Sequence, residues 1–279
     1  GAIVAIPILN NWRLYFDNPD EGLGSSYERV ILNDFLLKIK RHFGISTVLE
    51  APTFGFTGIS GINSMELARA GAQIDLVDHN PERLELIEKT WQKIELKLNA
   101  TYLKDYAKLP FSKHQFDLSW NFSALWFVDE LENFLRELSR VTKKVILICV
   151  PNQTGIGFMS QKYFGEKDIR EYLNIENINP DRFVNILKKS GWSLLNSDYI
   201  DCPPWPDIGM PKEKFLGKFG LDIDNKADIG NEPTTILNYY NESDKNFSEK
   251  MRQYFWFEKY APDFIKKYWA HHKFFIFIK

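Results

Sequence analysis

The chain has 279 residues, of which 44% are hydrophobic and 26% charged, and its net charge is −2. That is enough apolar material for one large domain, or one domain with an insertion, and the near-neutral balance excludes an overall basic field for nucleic acid. Its only cysteines, Cys149 and Cys202, form neither a disulfide framework nor a zinc spacing, so no metal site is expected and a reducing cytoplasm is the expected location.

In chain order, the apolar run Ala2–Leu9 contains Pro7 and is too short to span a bilayer. It also lacks the basic start of a signal peptide, and the absence of an initiator Met points to processing or truncation. Residues 11–24 are polar, aromatic and turn-rich and read as an irregular lead-in. Ser25 or Ser26 then caps a predicted helix over 27–42, with Val30, Ile31, Phe35, Leu36 and Ile39 at helical spacing. Strands are predicted at 47–50, 73–77, 101–103, 116–120, 144–150, 192–200 and 272–278. Helices are expected at 63–70, 81–97, 130–141, 163–172 and 182–190. The Val, Ile and Leu run of 144–150 reads as a central parallel strand buried on both faces, and Cys149 within it as a buried free thiol.

Alternating strands and helices over 46–150 predict an α/β fold with an open, mostly parallel sheet. The βαβ unit from Ser46 to Arg83 organises it. A strand ending in Glu50 enters a loop with Gly55, Gly58 and Gly61, then a helix, then a strand ending in Asp78. A Gly-bearing turn at a helix N-terminus suits a nucleotide-like ligand, and a strand-end carboxylate can accept from both ribose hydroxyls. Spaced glycines alone are equally a plain turn. Glu50, Asp78, Asp105 and Asn121 all fall at or just past predicted strand ends. Right-handed crossovers bring those ends to one edge, where ligands of such sheets bind.

These residues resemble the class I S-adenosylmethionine-dependent methyltransferases. The resemblance rests on Val48-Leu-Glu50 with the Gly loop, Leu76-Val-Asp78, the block Asp105-Tyr-Ala-Lys-Leu-Pro-Phe111 followed by Phe116-Asp-Leu118, Trp120-Asn-Phe122, and Glu137-Leu-Ser-Arg-Val141. It covers roughly residues 25–200, and the final strand suits the family's closing antiparallel strand. The resemblance implies a Rossmann-like sheet of seven strands, helices on both faces, and S-adenosylmethionine as cofactor. It implies that Glu50 lies near the cofactor's amino group and that the loop of Gly55, Gly58 and Gly61 runs beneath its carboxypropyl chain. Asp78 then holds the ribose, Asp105 accepts from the adenine amine with Tyr106 alongside, His79 packs near the purine, and Asn121 and Phe122 flank the methionine portion. The chain departs from the family's Asp/Glu-x-Gly-x-Gly-x-Gly turn. About five residues are extra, and Pro52 stands where the first Gly is expected.

Methyl transfer from a sulfonium needs alignment above all, and a base only if the acceptor must lose a proton. No catalytic residue is assigned. His79, His271 and His272 lie near the expected site edge, although each is more simply a surface or strand-end histidine. The domains expected are a lead-in and helix over 1–45, a cofactor-binding domain over 46–200 with 271–279, and an insertion over 201–270. That insertion opens on Pro203-Pro-Trp-Pro206 and carries Phe247, Met251, Tyr254, Phe255, Phe264, Ile265, Tyr268 and Trp269. It reads equally as a lid over an apolar or aromatic small-molecule acceptor and as a docked helix or dimer surface. Asp201-x-Pro-Pro-Trp205 is only superficially like the Asp-Pro-Pro-Tyr motif of amino-methylating enzymes, since that motif belongs after the fourth strand. Nucleic acid, stable membrane insertion and a metal are not expected. Two other readings stay open: a non-catalytic binding or scaffold protein retaining this fold, and a nicotinamide-dependent oxidoreductase, which leaves Asp105 and Asn121 unexplained.

Overall fold

The computed structural model describes residues 12–54, 58–159, 173–205 and 234–279. Its strands are β1 (Thr47–Glu50), β2 (Gln73–Asp78), β3 (Asn99–Tyr102), β4 (Phe116–Phe122), β5 (Thr142–Pro151), β6 (Ser193–Ile200) and β7 (His272–Ile278). They form a seven-stranded sheet in the order β3-β2-β1-β4-β5-β7-β6. The first five strands pair in parallel, and β7 runs antiparallel between β5 and β6. This is the Rossmann-like α/β sheet expected, with the antiparallel last strand.

Strand side chains alternate between the two faces. Val48, Leu76, Leu118 and Trp120 enter one core with α2 (Gly22–Phe43), α3 (Met65–Arg69) and α4 (Pro81–Lys93). Leu49, Val77, Ile146 and Ile148 enter the other, with α5 (Leu131–Val141) and α6 (Pro180–Lys189). Helix starts follow local chemistry. The Asn80 side chain accepts from the Arg83 amide with Pro81 in the first turn of α4, and Asn179 accepts from the Asp181 amide ahead of α6. Gly44, at φ 59°, closes α2, where Lys40, Arg41 and His42 occupy the last turn.

Several expected boundaries move. A short helix α1 (Leu14–Asp17) lies within the expected irregular lead-in. Helix α2 begins at Gly22, so Ser26 is buried inside it rather than capping it. The reason is tertiary: Glu21 and Asp20 at its start bond residues of the 58–63 turn and the 234–235 segment. Helix α3 is shorter than 63–70, α4 stops at Lys93 rather than 97, and β3 occupies 99–102 rather than 101–103. The helix expected at 163–172, and 206–233 of the insertion, lie outside the described residues.

Between β6 and β7 the described residues form α7 (Leu237–Tyr240), α8 (Phe247–Arg252), α9 (Phe255–Tyr260) and α10 (Asp263–Trp269). Phe247 and Met251 bury against the α2 side of the core, and Arg252 pairs with Asp34 of α2 at 2.8 Å. Tyr27 on α2 donates to Glu258 at 3.1 Å, and Glu258 also accepts from the Cys202 amide. Both cysteines are buried free thiols. Among the described residues, no helix is long and apolar enough to cross a membrane.

Candidate cofactor and acceptor site

The C-terminal ends of β1, β2 and β4 meet at the point where the strand order reverses, the usual ligand edge of such sheets. Glu50 is the last residue of β1 and is almost fully buried. Its carboxylate accepts from Ser64 at 2.5 Å and from Asn63 at 3.4 Å. Burial raises its pKa to about 7, against the opposing pull of Ser64 and Arg29. Arg29 of α2 donates to the Asn63 side chain, to Glu21 at 3.0 Å and to the Ile59 carbonyl at 2.9 Å. Helix α2 therefore fastens the glycine turn from outside the βαβ unit.

Gly58 and Gly61 adopt φ of +69° and +75°. A Cβ on Gly58 would lie 2.1 Å from Glu21 Oε1, and one on Gly61 2.5 Å from Ile87 Cδ1. The close approaches these glycines permit are thus to α2 and α4. Gly55 lies outside the described residues.

Asp78, the last residue of β2, has no exposed surface. Arg83, in the first turn of α4, bonds both its oxygens, through Nε at 2.8 Å and through Nη2, and the Asn80 amide donates to it at 2.8 Å. Phe54 lies over the Arg83 guanidinium, 3.9 Å from ring centre to Cζ, with Trp12 at 5.3 Å. The Phe54 ring also packs on Phe127, past β4, and on His79. Phe54 thereby bridges the ends of β1, β2 and β4.

His79 Nδ1 and the Tyr106 hydroxyl are 3.0 Å apart. Burial lowers the His79 pKa and raises that of Tyr106. Asp105 is exposed, and its side chain accepts from the Ala107 amide. Asn121, fully buried in β4, donates to the Ala51 carbonyl at 3.3 Å. Its Oδ1 and the nearby Ser123 Oγ have no hydrogen-bond partner among the described residues. The Phe122 ring packs against His272 with centroids 4.4 Å apart and planes tilted by 46°.

His272 opens a second group of polar residues on the same edge. It begins β7 opposite Pro151 and Ile200. His271 Nδ1 is 2.8 Å from Asp201 Oδ2, and His272 Nδ1 is 3.4 Å from the same oxygen and 3.8 Å from Glu28 Oε2. Glu28, Asp201 and His272 are all buried. Burial pushes the Glu28 carboxyl up to about 7, against the pull of His272. At Asp201, burial works upward too, but His271 and His272 win and hold it well below the usual carboxylate range.

Residues 56–148 match the family described as Methyltransferase domain. Among curated proteins nothing matches. Among solved structures, the [4+2]-cyclase SpnF is similar at 15% identity and TM-score 0.50, over 88% of this chain and 80% of that one. A protein from Galdieria sulphuraria, assigned as a sarcosine dimethylglycine methyltransferase, is similar at 13% identity and TM-score 0.52, over 88% and 84%. A chain of the complex between the Haloferax volcanii Trm112 methyltransferase activator and its assigned methyltransferase shares 12% identity at TM-score 0.51, over 96% and 97%. At such identities the likeness is one of fold. Residues 56–148 thus carry a methyltransferase domain, and the fold is that of the class I S-adenosylmethionine-dependent methyltransferases. S-adenosylmethionine is the cofactor of that family.

The strand-end polar groups differ in how far they are already partnered. At the ends of β1 and β4, Glu50 is a buried acceptor, and Asn121 Oδ1 and Ser123 Oγ are buried polar atoms lacking partners among the described residues. At the end of β2, Arg83 holds the Asp78 carboxylate and Phe54 covers the pair. A ligand hydroxyl would reach Asp78 only once Arg83 and Phe54 shift. The reading from residue types missed Phe54, Arg83 and Trp12. Arg83 had a signal, since an arginine in the first turn after Asn80-Pro81 stands close to the preceding strand end.

Proposed function

We propose that this chain moves a methyl group to a small or amphiphilic organic acceptor of apolar or aromatic character. The reading is carried by the β4 end, next to the end of β1 that carries Glu50, where Asn121 Oδ1 and Ser123 Oγ are buried without partners among the described residues. Such atoms call for a polar partner, which a ligand group would supply. In this reading Glu50 accepts from the cofactor's ammonium, Asn121 orients its carboxypropyl end, and the turn carrying Gly58 and Gly61 flanks it. Asp78 receives the ribose after Arg83 releases it. His79, Tyr106 and Asp105 border the base, and Phe122 borders the reacting end. The bound sulfonium supplies an already activated methyl carbon, so the protein's share is alignment and exclusion of water. Trp256, Tyr260, Phe264 and Tyr268, all at least half exposed on α9 and α10, offer apolar surface for the acceptor.

The Arg83–Phe54 cover over Asp78 favours a second reading, in which the chain keeps the fold as a binding or scaffold protein and takes no cofactor. Calorimetry with S-adenosylmethionine and S-adenosylhomocysteine separates the two. Methyl transfer expects binding by the wild-type chain, tighter binding by Phe54→Ala and weaker binding by Asn121→Ala. No heat with either compound, for wild type and Phe54→Ala alike, overturns it in favour of the binding protein.

A further inference from the structure

We propose that Glu28, Asp201 and His272 form a site for a divalent first-row transition ion, of the kind Zn2+ and Mn2+ represent. The three come from separate elements: Glu28 from α2, Asp201 from the residue after β6, and His272 from the start of β7. One candidate ligand atom from each lies within 4.8 Å of the others. The measured separations, 3.4 Å from His272 Nδ1 to Asp201 Oδ2 and 3.8 Å to Glu28 Oε2, approach the spacing of ligands each about 2.0–2.2 Å from one ion.

Three further observations point to a ligand rather than a simple ion pair. His272 is 8% exposed, and its Nδ1 faces both carboxylates at 3.4 and 3.8 Å, too poorly aligned for a good hydrogen bond to either. Asp201 is 2% exposed, and its Oδ1 has no partner among the described residues. The Asp201 backbone is held at φ 62°, a left-handed conformation uncommon for a residue other than glycine, and such strain gathers at functional sites. Histidines lie at ion-pair distance from both carboxylates, and Arg29 adds a further pull on Glu28. His271, donating through Nδ1 to Asp201 Oδ2, has the role of the outer partner that fixes a ligating carboxylate.

One imidazole nitrogen and two carboxylate oxygens suit ions between the hard and soft extremes. Three protein ligands leave a coordination position free for an oxygen of a bound molecule. Phe122, at the end of β4, packs against His272, so that position lies on the sheet edge of the proposed reaction. The metal site itself does not depend on methyl transfer.

The test uses the full chain, stripped with a chelator and then titrated with Zn2+ and with Mn2+ against a chromophoric competitor. The expected result is one ion per chain, with affinity at least tenfold lower in the near-isosteric variants Glu28→Gln and Asp201→Asn. Far-UV circular dichroism establishes that the variants are folded. Co2+ loading of the wild-type chain gives a second readout that needs no variant: the absorption of a protein-bound ion with a nitrogen ligand is expected. Failure of the wild-type chain to bind any of the three ions overturns the proposal. So does undiminished binding by the folded variants.

Discussion

Arg83 and Asp78 are 2% and 0% exposed as side chains, and their bidentate contact leaves neither charge in water. Replacing one member of such a pair strands the other, which costs about 3–5 kcal/mol. Arg83→Met is therefore expected to lower the urea-unfolding free energy by that amount, since Met fills the volume but leaves Asp78 with the Asn80 amide alone. Bound S-adenosylhomocysteine should restore part of the loss if ribose takes the place of the guanidinium at Asp78. At this scale the sequence showed which carboxylates lie at strand ends, because a strand's last residue is set by local pattern. It did not show whether they are free. Phe54 reaches Arg83 across a loop, and Trp12 reaches it from outside the sheet. No local spacing encodes either contact.

Among the elements, the turn between β1 and α3 is the one whose reading changes most. Its glycines do take positive φ, as the spacing suggested, but Gly61 gives room to Ile87 on α4, and its carbonyl accepts from Trp91 at 2.7 Å. Gly61→Ala pushes a methyl group into Ile87 and strains the backbone, and is expected to destabilise by about 1–3 kcal/mol. Chemical denaturation of the pure variant measures it. The control is Gly71→Ala, where φ is also positive but nothing lies within 4 Å of the added atom, and the cost should be smaller. Strands and helices with strong periodicity, such as β5 and α5, were legible from pattern alone. The beginning of α2 was not, because contacts with residues 58–63 and 234–235 extend it.

Over the whole molecule, burial sets a pH dependence of stability. Glu50 and Glu258 have folded pKa values of about 7, against an ordinary 4.5, because both are removed from water. In the window from 4.5 to 7 the folded chain keeps protons that the unfolded chain has lost. Their contribution is complete below 4.5 and is lost as the pH rises through 7. Unfolding free energy is therefore expected to fall between about pH 5 and about pH 8, and Glu50→Gln should flatten that fall. Asp201 acts oppositely, since its lowered pKa contributes above 3.8 and is lost in acid. The strand and helix alternation made the α/β class legible, and the family resemblance supplied the closing strand. The group of Glu28, Asp201 and His272 was not legible as a unit. Its members lie on α2, after β6 and at the start of β7, and only the completed sheet brings them together.

The insertion of β7 between β5 and β6 constrains how the chain is made. During synthesis, β5 and β6 emerge long before residues 272–278, so a nascent chain carries their unpaired edges without the strand that joins them. Such edges invite pairing with other polypeptides. A ribosome stalled before residue 272 should thus hold a split sheet prone to aggregation, and release of the remaining strand should permit native assembly.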